Sequence, residues 1–183
     1  MLAQGGHPWP GPAVDTDLAE LVGRGDEARL AEAEALVAQD PNRIHRLMSL
    51  LHCGRRNCER GAALLVELLS RDHPDWLEPQ LRRLFRVASA SDDDRIRSAL
   101  AGTFPRLKLS RGEAGRIAFV LESWLDEADP ELQRASMTAL VDLIPQRADL
   151  AGRIRDCIET RAARGSPVAI RHGRALLEQL REF

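Results

Sequence analysis

Four arginines, Arg60, Arg97, Arg134 and Arg171, follow one another at a constant interval of 37 residues. Behind each, two, five, six and nine positions on, stand Ala62, Leu65, Val66 and Leu69; Ala99, Gly102, Thr103 and Arg106; Ser136, Ala139, Leu140 and Leu143; Gly173, Leu176, Leu177 and Leu180. That spacing marks one face of an α-helix, so the pattern predicts one amphipathic helix written four times. Only Arg106 breaks it, directly after the helix-ending Pro105. A second helix precedes each copy. Its apolar positions are Ile44, Leu47 and Leu51, then Leu81, Leu84 and Ala88, then Ala118, Leu121 and Leu125, again 37 apart, and finally Ile154, Cys157 and Ile158, where the register slips by about one residue.

The starts of these helices are marked by side chains that accept hydrogen bonds from free backbone amides. Asp40-Pro41, Asp129-Pro130 and Ser166-Pro167 each place a capping residue before a proline at the first helical position, and Ser110 to Glu113 is a capping box. Asp149 is expected to cap a helix that begins at Leu150. Upstream, Asp17 is expected to cap a short helix carrying Leu18, Leu21 and Val22, closed by Gly23 and Gly25, and a further helix covers residues 26–38. This leading pair lacks the repeated arginine, and the acidic Asp26, Glu27, Glu32 and Glu34 suit it to shielding the end of a helical stack. Residues 1–14, with three glycines and three prolines, read as a flexible tail whose one adhesive residue is Trp9.

A helix pair of fixed length that cannot bury its apolar face alone must stack on the next pair, which predicts an all-α solenoid. Asp92 and Asp129, each five residues ahead of Arg97 and Arg134 and followed by Ala99 and Ser136, complete a pattern that resembles the HEAT repeat over residues 40–183. The resemblance implies a right-handed α-α superhelix of four helix pairs plus the N-terminal capping pair. It divides residues 15–183 near 15–39, 40–73, 74–109, 110–147 and 148–183. It also implies that first helices line the convex side and second helices the concave side, and that Arg60, Asp92, Arg97, Asp129, Arg134 and Arg171 form a ladder of bonded pairs setting repeat orientation. Arg55 and Ser166 stand where the first and last copies would carry the acid. A tetratricopeptide array fits less well, since its period is about 34 and its aromatic signature does not recur.

Composition agrees with a helical globular chain. Of 183 residues, 44% are hydrophobic and only 4% aromatic, with no tyrosine, which suits helices packed through Leu and Ala. Lys108 is the one lysine, yet the excess of arginine does not point to nucleic acid, because the net charge is -2 and phosphate binders usually carry a larger basic surplus. The charge is uneven: residues 15–40 hold eight acids against two arginines, whereas residues 80–120 hold nine bases against four acids. The opening residues lack the basic and apolar pattern of a secretory leader, so none is expected, no membrane-length apolar run occurs in the sequence, and three cysteines, an odd number, fit a reducing compartment. A cytoplasmic protein without membrane contact is expected.

Catalytic motifs are absent: the sequence has no phosphate-binding glycine loop, no HExxH and no GxSxG. His45, His52, Cys53 and Cys58 include metal-ligating types, but without a paired Cys-x-x-Cys they read as structural, so neither metal nor cofactor is expected. Three and seven residues beyond the second, third and fourth arginines lie Leu100 and Phe104, Met137 and Val141, and Arg174 and Glu178. This column either packs inside the stack or, on the concave side, forms an apolar groove for a partner helix or extended segment, flanked by Arg97, Arg134, Arg171 and Arg174; exposure separates the two. The reading that follows is a non-catalytic scaffold or adaptor for another protein. Its alternative is a DNA-binding or glycosylase-like repair protein, or a lyase, as found on other HEAT-like arrays. A glycosylase would need a basic groove with an aromatic and a carboxylate beside the damaged base.

Overall fold

A computed structural model describes residues 16–181. All regular structure among them is helical: α1 (Thr16–Arg24), α2 (Glu27–Gln39), α3 (Ile44–Leu50), α4 (Arg56–Asp72), α5 (Pro74–Leu77), α6 (Leu81–Ala90), α7 (Asp94–Thr103), α8 (Arg111–Trp124), α9 (Pro130–Asp142), α10 (Ala151–Arg164) and α11 (Pro167–Gln179). Short 3-10 turns, such as Pro41–Arg43 and Phe104–Arg106, join them. The segment 1–14, with Trp9, lies outside the described residues. No described helix is long and apolar enough to cross a membrane.

Capping chemistry sets most of the starts. The side chains of Asp26, Asp129 and Ser166 accept from the amides of Arg29 (2.9 Å), Leu132 (2.7 Å) and Ala169 (3.2 Å). Ser110 and Glu113 form the reciprocal box. Two expected caps are corrected. Helix α1 already begins at Thr16, which leaves Asp17 inside its first turn. Asp149 sits within a 3-10 turn and accepts from Nε and Nη2 of Arg147 at 2.7 and 2.8 Å, so α10 starts at Ala151 with no side-chain cap. A two-point charged pair outweighs one bond to a backbone amide. The same pair presses the Asp149 carboxyl down to about 2.

The helices form two layers. In one, α1 packs on α4, α4 on α7, α7 on α9 and α9 on α11; behind that row, α3, α6, α8 and α10 each pack on the helix that completes their pair. The faces read from the 37-residue pattern are the ones that meet. Leu65, Val66, Leu69, Leu140, Leu143 and Leu176 are buried, and so are Ile44, Leu47, Leu84, Leu121 and Ile158 opposite them. At the break, α7 stops at Thr103, Pro105 turns the chain, and buried Leu107 fills the apolar position that Arg106 vacates. Small residues let neighbours approach. A Cβ placed on Gly61 would lie 1.8 Å from the Val22 carbonyl oxygen, so α4 meets the end of α1 backbone to backbone.

The expected arginine ladder exists only in its first two rungs, and on other acids. Arg60 Nε donates to Asp93 Oδ2 at 2.8 Å, and Arg97 donates to the Ser91 carbonyl at 2.7 Å and to Glu127 at 3.1 Å. Asp93 rather than Asp92 serves because Asp93 is the N-cap of α7; its carboxylate turns inward to the Arg95 amide and is 5% exposed, while the Asp92 side chain is 85% exposed. Asp129 is occupied as a cap, Arg134 pairs with Glu131 in its own helix, and Arg171 is exposed and makes no rung.

Two measurements check this packing. Gly61→Ala is expected to cost about 1–3 kcal/mol in urea unfolding, through overpacking against rigid backbone, whereas Gly112→Ala on α8, where an added Cβ meets nothing within 4 Å, should be neutral or gain up to about 1 kcal/mol. Asp93→Ala should lose about 2 kcal/mol through a lost cap and a stranded guanidinium, while Asp92→Ala stays within about 0.5 kcal/mol of wild type.

Candidate functional site

Stacking buries three sides of an interior second helix, two against its neighbours and one against its first helix. What remains is a strip facing away from the first-helix layer. Along α1, α4, α7 and α9 these strips line one open groove with a cavity volume of about 800 Å³. Its floor is small: Gly61, Ser98, Gly102, Ala135 and Ala139. With little side chain on the floor, the walls are set by longer residues. They carry five carboxylates, Glu67, Asp94, Asp129, Glu131 and Asp142, and five guanidiniums, Arg24, Arg60, Arg95, Arg106 and Arg134. Leu64, 37% exposed, is the one large apolar residue among the lining.

The apolar column expected to line a groove does not do so. Leu100, Phe104, Met137 and Val141 are buried in the core, the first three at 0–1% exposure, and offer nothing to a partner. Only one apolar face per helix is visible in the periodicity, but an interior helix of a row has flanks that need apolar cover as well. Of the cations assigned to the site, Arg134 lines the groove; Arg97 is held by Ser91 and Glu127; Arg171 and Arg174 are exposed on α11, away from the groove lining. The residues missed carry a signal. Gly61, Ser98 and Ala135 each directly follow a repeated arginine, a recurring small position opposite the buried face.

The irregular Arg106, freed by the proline turn, donates to Ser70 Oγ at 3.0 Å and approaches Glu67 at 4.0 Å, and so ties the wall of α4 to the end of α7. Glu131 is held below the usual carboxylate range by its bond from Arg134, while burial pushes Asp142 upward and burial against the pull of Arg97 does the same for Asp94. At the α11 end, His172 Nε2 lies 2.8 Å from Thr138 Oγ1. Burial, then the charge of Arg134, lowers its imidazole below the ordinary value.

Chemistry that would mark a reaction centre is sparse. No cluster of three or more His, Cys, Asp or Glu is arranged to hold a metal among the described residues. Burial pushes the Cys58 thiol up to about 11, and a protonated thiol is a poor nucleophile and ligand. No family model matches the chain, and no curated protein or solved structure matches it either.

The His172 environment gives a signed pH effect. A depressed imidazole favours the neutral form in the folded state, so its stabilisation is complete above about pH 6.5 and is lost as pH falls through the lower folded value. Thermal melts of wild type and His172→Gln from pH 8 to pH 5 should therefore converge or cross below about pH 6.5, by on the order of 1 °C. A constant offset across that range would show that His172 titrates alike in both states.

Proposed function

We propose that the chain is a HEAT-like α-solenoid, built as a right-handed superhelix, that serves as a non-catalytic scaffold and holds an extended polypeptide segment of mixed charge in the groove along α1, α4, α7 and α9. The observation that carries this reading is the groove itself. A small-residue floor lets a backbone approach closely, and walls with equal numbers of carboxylates and guanidiniums, some paired with one another as in Arg134 with Glu131, offer charge of both signs. Orientation then comes from salt bridges and hydrogen bonds rather than from apolar anchors, which places specificity and association rate ahead of raw affinity. A glycosylase-like reading is less favoured, because the groove lining is charge-balanced and contains no aromatic residue to stack on a flipped base.

The test is to select peptides from a displayed random library on the immobilised chain, then measure them against a plugged variant, Ser98→Trp with Ala135→Trp. The selected peptides should carry both charges and bind the plugged variant at least tenfold more weakly, with helicity by circular dichroism unchanged. Equal binding to both proteins would place the peptide elsewhere and remove the basis of the proposal.

A further inference from the structure

The first-helix layer carries a separation of charge that the chain-wide balance hides. The 3-10 turn and helix spanning Pro41–Leu50, continued to His52, hold Arg43, His45, Arg46 and His52 and no carboxylate; α6 holds Arg82, Arg83 and Arg86 and again none. These two helices touch through cationic and neutral donors. Arg83 Nη2 lies 3.3 Å from His52 Nε2 and 3.5 Å from Ser49 Oγ, and Arg46 Nε is buried with no hydrogen-bond partner. Most arginines bordering the groove are paired, yet Arg46, Arg82, Arg83, Arg86 and Arg116 form no salt bridge among the described residues. Glu113 stands near Arg82 and Arg116, but its carboxylate is committed to the Ser110 amide and hydroxyl at 2.9 and 2.5 Å.

One aromatic extends this strip. Phe119 of α8 is 66% exposed, the most exposed large apolar side chain described, and it occupies the position 37 residues beyond Arg82, which in turn follows His45 by 37. The three fall at one repeat position on successive first helices. We propose that this outer face of α3, α6 and α8 binds single-stranded nucleic acid, its guanidiniums and Ser49 taking the phosphates and Phe119 stacking on a base. Guanidinium forks match phosphate oxygens two at a time, and an exposed ring beside a basic track is how sequence-tolerant strand binding is built. The strip is narrow. Acids stand on both sides of it, Glu32, Glu34 and Asp40 before it and Asp156 and Glu159 after it, while Glu122 and Asp126 are paired with Arg153 and Arg161. An extended anionic surface such as a bilayer would face those carboxylates too, whereas a single strand follows the basic track alone. A net charge of -2 excludes nucleic acid only if charge is spread evenly, and here it is not. The inference is independent of the groove, which opens on the opposite layer.

Fluorescence anisotropy with a labelled fifteen-nucleotide oligothymidylate tests it on the full chain. With about four phosphates neutralised, affinity should fall roughly fiftyfold between 50 and 200 mM salt. Phe119→Ala should weaken binding about tenfold, and Arg83→Ala with Arg86→Glu by tenfold or more, while the groove variant Ser98→Trp leaves it unchanged. Because Phe119 is exposed, Phe119→Ala should melt as wild type does, and helicity by circular dichroism checks that the double variant, which gives up the Arg83 contacts to Ser49 and His52, remains folded. Absence of binding at 50 mM salt, indifference to both outer-face variants, or tighter binding to anionic phospholipid vesicles or to polyglutamate than to the oligonucleotide would overturn the proposal.

Discussion

Everything in this molecule depends on second helices lying side by side. Each brings one broad apolar face and two narrower flanks, and none has enough partners within its own helix pair to cover all three. Leu100 and Met137 show the point: fully buried, they belong to the part of α7 and α9 left over once the first helix has taken its share. The row of α1, α4, α7, α9 and α11 supplies the missing cover, with α1 in the place of a preceding second helix although it lacks the arginine. In such an array stability is carried by nearest-neighbour interfaces, so damage at one crossing is felt locally first.

The architecture was largely readable in the sequence because it rests on repetition. Apolar spacing located helix pairs, and Asp40, Ser110, Asp129 and Ser166 marked their beginnings through a local hydrogen bond that needs no tertiary context. What failed was whatever depended on a neighbour. Asp149 has the sequence of a cap, but Arg147 two residues earlier captures it. The Asp92 pattern pointed to a ladder acid, yet the helix begins one residue later and hands the role to Asp93. A shift of one position at a helix start rotates a side chain by about 100 degrees, enough to exchange a buried partner for open water.

The same limit explains the misplaced groove. A hydrophobic pattern reports which residues avoid water, and in an interior helix of a row nearly every large apolar residue does so, Leu64 being the exception; the surface left for a ligand is therefore written mostly in the positions that pattern ignores. Gly61, Ser98 and Ala135 look unremarkable singly. Repetition at the arginine-plus-one position is what distinguishes them, although at Gly61 the close crossing of α1 requires the small residue as well.

Two layers also give one short chain two chemically distinct faces. Second helices lie closely enough for charges at neighbouring helix starts to pair, as in Arg60 with Asp93 and Arg97 with Glu127. First helices contact mainly the helix behind them, and whereas farther along Arg153 pairs with Glu122 and Arg161 with Asp126, the outward residues of α3 and α6 carry one sign with no acid on their own helix. Once charge of one sign collects there, its mutual repulsion is a standing cost, modest in water and screened by salt, that any polyanion lying across it relieves. Pairing between neighbouring helix starts in the row, and its absence along α6, reflect whether an acid-bearing neighbour lies within reach.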